Sequence, residues 1–204
     1  MSSRRMVLDV SEYPALVQGP RGGLWWGMMG LILIEVVVFT ALISTYYYLK
    51  FLAPHWPPAG DPLPKLLLPT VNTVVLVGSS FAVYYADISI SERGDKRGLK
   101  IGLAASLLLG VVFLALKIVE YSQVEYFWDS HAYGSIVWTM VVFHSSHVLS
   151  VVLKTSAVLA LAGHGHWTRE RLQGIKVNGI YWHFVVVIWL PLYFTIYWSP
   201  RIHG

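Results

Sequence analysis

Any chemistry in this chain must come from a few polar side chains set among apolar ones, and the first of these is Glu35. It stands in WWGMMGLILIEVVVFTALISTYYYLK, Trp25 to Lys50, where its neighbours at helical spacing, Met28, Leu31, Ile32, Val38, Phe39 and Leu42, are all apolar. A helix rises roughly 30 Å from Trp26 to Tyr46, one hydrocarbon thickness, which puts Glu35 near a bilayer midplane. A charge at that depth costs about 2.5 to 3.5 kcal/mol on insertion scales, so the side chain is expected to face a bundle interior. Its own helix offers no partner, which must come from another helix, a water or a lipid. Proton handling or regulation is one reading of such a residue, and a neutral carboxyl hydrogen-bonded between helices is the simpler one.

Three histidines share that depth. VVFHSSHVLS sets His144 and His147 three apart on one helical face, about 16 Å along the helix from Tyr133, and His183 lies about 10 Å in from Lys176. A layer of Glu35, His144, His147 and His183 across a bundle could ligate a metal or haem, relay protons or form interhelical hydrogen bonds. Hydrogen bonding is the expected use, because haem ligation needs facing histidines on separate helices and nothing in the spacing guarantees that. Lys117 and Glu120, one turn apart, are expected to pair at the membrane interface with their heads snorkelling to water. Asn72 and the small residues Gly78, Ser79, Ser80 and Ala82 suit close helix packing. No hydrolase triad, phosphate loop or zinc helix motif occurs, so no catalytic residue and no metal-ligand set is assigned.

The elements that must position these groups follow from composition. Of 204 residues 55% are hydrophobic and only 13% charged, which marks an all-α integral membrane protein. The net charge of +4 is spread between hydrophobic runs rather than along one face, which argues against a nucleic-acid partner. With no cysteine, disulfides and thiolate metal sites are excluded. Residues 1–23 carry Arg4, Arg5, Asp9, Glu12, Pro14 and Pro20 without an apolar core, so they read as a cytoplasmic segment and not as a cleavable signal. A five-helix membrane domain is expected over 24–199, with spans at about 24–50, 66–90, 101–121, 136–161 and 177–198, the last ending before Pro200. The side holding Arg4, Arg5, Arg21, Arg93, Lys96, Arg97, Lys100, Arg169, Arg171 and Lys176 is then the cytoplasmic one, against Lys50, Lys65 and Arg201 opposite. The N-terminus is expected inside and the C-terminus outside.

Six strings in order resemble subunit III of the haem–copper respiratory oxidases in its short five-helix bacterial form. They are WWGMMGLILIEVVVF, LLLPTVNTVVLVGSS, SERGD, GVVFLALKIVEY, YGSIVWTMVVFHSSHV and YWHFVVVIWLPLYFTIYW, which together cover Trp25 to Trp198. The family's membrane glutamate carries over onto Glu35. Departures are Lys117 for a common glutamine, Val142, Ser145 and Ser146 for glycines beside the histidine pair, and Val186 for an aspartate in the last helix. The resemblance implies a non-catalytic subunit without cofactors of its own, in a bacterial plasma membrane. It would pack on catalytic subunit I and on subunit II, which hold haem and copper, bind phospholipid between its helices, and support proton uptake while its partner reduces dioxygen to water. Cytochrome c and quinol remain equal candidates for electron donor. An accessory protein of nitric oxide reductase and a small transporter are the competing readings, the latter weakened by the absence of an inverted repeat.

Overall fold

The computed structural model describes residues 22–164 and 172–202. Five helices are long and apolar enough to cross a membrane: α1 (Gly23–Leu52), α2 (Leu67–Ser91), α3 (Lys96–Tyr121), α4 (Ala132–Gly163) and α5 (Gln173–Ile202). Arg4, Arg5, Arg21, Arg169 and Arg171, half of the positive charges expected on the cytoplasmic side, lie outside the described residues, as do His166 and His203. α1, α4 and the fifth helix run past both expected ends and α3 starts earlier than expected, while α2 matches to within one residue. Asp95 accepts the backbone N–H of Arg97 at 2.9 Å and starts α3 at Lys96. The His131 Nδ1 accepts the N–H of Gly134 at 2.9 Å and starts α4 at Ala132.

The fifth span differs most from expectation, since it runs through Pro200 to Ile202. Its α-helical part, Gln173–Tyr193, widens into a π-helical turn, Phe194–Trp198, and a final α-turn, Ser199–Ile202, follows. Pro200 therefore sits in the first turn of a fresh α segment, where its missing N–H is not needed. Side chains reinforce that end. The Lys50 ammonium donates to the Ser199 carbonyl at 2.5 Å, and the Arg201 guanidinium donates to the carbonyls of Tyr197 and Pro64.

α2 and α3 form the tightest pair, joined by the turn at Gly94, whose φ of 67° suits a residue without Cβ. A Cβ on Gly102 would lie 2.7 Å from the Ala82 carbonyl and 2.8 Å from the Ala86 nitrogen, so only glycine admits this approach. α2 also packs on α5, and α3 on α4. α1 joins the other flank, against α4 and α5 alone among these close pairs. It buries just Glu35, Phe39 and Tyr46, a narrow stripe on an otherwise outward-facing helix. The acid is thus on the one face of α1 that meets protein, as its desolvation cost requires.

Candidate functional site within the bundle

Glu35 is bound from two helices. Tyr181 of α5 donates its hydroxyl to Glu35 Oε1 at 2.9 Å, and the His147 Nε2 of α4 stands 3.6 Å from the same oxygen. On its other edge His147 lies 2.7 Å from the Phe143 carbonyl. A carbonyl can only accept, so Nδ1 carries the proton and Nε2 turns a lone pair, or a second proton, toward Glu35. Phe39 closes the site with its ring 5.2 Å from that of His147.

α4 brings one further group that the sequence reading did not single out, Lys154, two turns from His147 on the same face. Its Nζ is buried, takes no hydrogen bond among the described residues, and lies 4.3 Å from the centre of the Tyr181 ring. Glu35, His147, Lys154 and Tyr181 thus form one acid–base cluster where α1, α4 and α5 meet. A lysine inside an apolar span was a legible signal.

The remaining histidines leave the expected layer. His144 is fully buried, yet neither ring nitrogen has a hydrogen-bond partner among the described residues; the ring stacks on Trp189 with centroids 4.7 Å apart and meets Phe39 and Phe113 edge-on. Expected as a hydrogen-bonding group, it acts here as an aromatic one. His183 turns toward α2, where its Nδ1 pairs with the Ser80 hydroxyl at 2.5 Å. Among the described residues no three His, Asp or Glu side chains gather closely enough to hold a metal ion.

Lys117 and Glu120 pair as expected, at 2.8 Å, but they do not snorkel. Lys117 is only 4% exposed, accepts shelter from the Trp189 face at 4.4 Å, and donates to the Tyr197 hydroxyl at 3.0 Å, while Tyr197 donates to Glu120. The cause is the fifth helix, whose π-helical turn carries Tyr197 over the pair. A cavity of about 150 Å³ beside Glu120, walled by Leu63, Leu68, Tyr126 and Ile196, reaches it from the loop end. Asn72 donates to the Phe113 carbonyl at 3.1 Å and links α2 to α3. At the loop end itself His131 meets Asp61 at 2.7 Å, and Trp56 packs edge-on against Tyr46 and Tyr133. The Tyr126 hydroxyl in that loop layer is pushed up to about 12 by burial.

Five helices long and apolar enough to cross a membrane, with acid, base and phenol groups buried between them, define a multi-pass membrane protein. The chain belongs to the cytochrome c oxidase subunit III family, whose sequence model matches residues 13–200. Cytochrome c oxidase subunit 3 of Thermostichus vulcanus is 30% identical over 176 residues, 86% of this chain and 87% of that protein. The subunit 3 of a Synechocystis species is 31% identical over 194 residues, 93% and 83% of the two chains. The rabbit subunit 3 is 34% identical over 183 residues, 86% of this chain and 69% of its own length. As a member of that family the chain is an accessory oxidase subunit that assembles with other oxidase subunits. Val186, where the family commonly has an aspartate, is buried in the main apolar core.

Proposed function

We propose that this chain is the non-catalytic subunit III of a proton-pumping terminal oxidase of a bacterial plasma membrane, with its N-terminus in the cytoplasm. It packs on subunits I and II, which hold the haem and copper and reduce dioxygen to water, it binds phospholipid between its helices, and it supports proton uptake. The observation that carries this reading is the pairing of Glu35 with both Tyr181 and His147, which gives an intramembrane carboxyl a proton-sharing neighbour rather than a purely apolar socket. Asn72, Glu120, His144 and His183 serve it as polar or aromatic links that fix the helices around that site.

Glu35→Gln in the assembled oxidase tests the role. It keeps shape and one hydrogen-bonding oxygen, so oxygen reduction should persist while protons pumped per electron fall or the enzyme inactivates sooner during turnover. Unchanged pumping and turnover lifetime, together with no labelling of Glu35 by an apolar carbodiimide, would leave packing alone. Reporter fusions at Asp95 and Asp129 check the orientation, the first expected in the cytoplasm and the second outside.

A further inference from the structure

Lys154 is the group in the bundle least explained by packing. It lies nine residues before the end of α4, about 14 Å along the helix, within the apolar run. A lysine there carries the same insertion cost as the glutamate and needs a compensating charge. Among the described residues its buried Nζ has no hydrogen-bond partner, and neither has the buried Glu35 Oε2. Between them stands Tyr181, with its ring face under the ammonium at 4.3 Å and its hydroxyl on the carboxyl at 2.9 Å. The charged and titratable groups facing Glu35 are His147 and Lys154 from α4 and Tyr181 from α5. α3, which also packs on α4, carries Lys117 and Glu120 near the opposite end, and the Asp87 of α2 lies toward His183.

We propose that Lys154 is the counter-charge of Glu35, an ammonium across the Tyr181 ring that stabilises the ionised carboxylate and lets a proton taken up there be released again. Without it, a carboxyl among Phe39, Tyr181 and apolar helix faces would hold its proton and act as a packing group. With it, the cluster is neutral when Glu35 is ionised and gains one positive charge when it takes a proton. Lys154 is thus a positioning residue acting through Glu35. The inference rests on the proton-bearing reading of Glu35.

The test is the rate at which an apolar carbodiimide labels Glu35 in membranes containing the intact complex at neutral pH, read by mass spectrometry of the Glu35 peptide. The reagent attacks the protonated carboxyl, so the rate follows the neutral fraction. Lys154→Met should label roughly tenfold faster than the natural chain, the size of one neighbouring charge removed, and Lys154→Arg should label at the natural rate. Lys154→Gln carries the same expectation as the methionine variant if that one does not accumulate. Equal rates in all variants overturn the inference while leaving Glu35 a labelled, proton-bearing residue. Loss of bound anionic phospholipid from Lys154→Met with an unchanged rate also overturns it, in favour of a headgroup site. No labelling of Glu35 in any chain removes the proton-bearing reading and this inference together.

Discussion

Tyr181 and Glu35, 146 positions apart in sequence, meet through a 2.9 Å hydrogen bond that ties the most loosely packed helix of the bundle to the most deeply buried one. α1 presents only three buried residues, and one of them is the acid itself. The same bond therefore both orients a titratable group and anchors a helix.

Tyr181→Phe separates those two effects. Losing a hydrogen bond to a carboxyl should cost about 1.5 to 3 kcal/mol of stability, seen as a lower thermal midpoint of the purified complex. Carbodiimide labelling of Glu35 should rise as well, because a donor that favours the charged form is gone. Unchanged values of both would mean the hydroxyl is idle.

Lys117 and Glu120 form a buried ion pair, and such pairs are sensitive to the loss of one member. Lys117→Met or Glu120→Gln alone should lower the yield of assembled complex, at a cost of about 3 to 5 kcal/mol if the remaining charge stays buried. The double variant should recover most of that loss, since no unpaired charge is left. Additive losses in the double variant, measured by thermal denaturation, would contradict a coupled pair.

His144 behaves as a ring, so His144→Phe should be tolerated within about 1 kcal/mol and should leave turnover unchanged. Trp189→Leu should cost more, roughly 3 kcal/mol, because it removes the partner face of both His144 and Lys117. A strong loss of function in His144→Phe with normal stability would assign chemistry to the imidazole.

Tyr126 gives a pH dependence outside the membrane. Its hydroxyl ionises near 10 in an unfolded chain and at about 12 here, so the folded state favours the neutral form. The stabilisation is whole below pH 10 and is lost as pH climbs from there through 12. The melting temperature of the natural complex should thus fall more steeply between about pH 10 and 12 than that of Tyr126→Phe. Parallel curves would place the alkaline sensitivity elsewhere.

The sequence by itself determined the five apolar helices, the Lys117–Glu120 pairing and the family, because hydropathy and helical spacing act locally and a membrane forces each apolar run into a helix. Even the outcome for Glu35 was legible in kind: an apolar helix face meant a partner on another helix. Which partner was not legible, since nothing local distinguishes Tyr181 and His147 from the other phenols and imidazoles of the last two spans. That choice depends on the rotation of α1, α4 and α5 about their axes, and packing alone fixes rotation. The same cause divided the expected histidine layer. His144 and His147 are three apart, about 60° short of a full turn, and that rotation sends one ring onto Trp189 and the other to Glu35. Tertiary structure likewise drew Lys117 inward, because the π-helical turn at Phe194–Trp198 swings Tyr197 over the ion pair, and no spacing rule in α3 contains that turn.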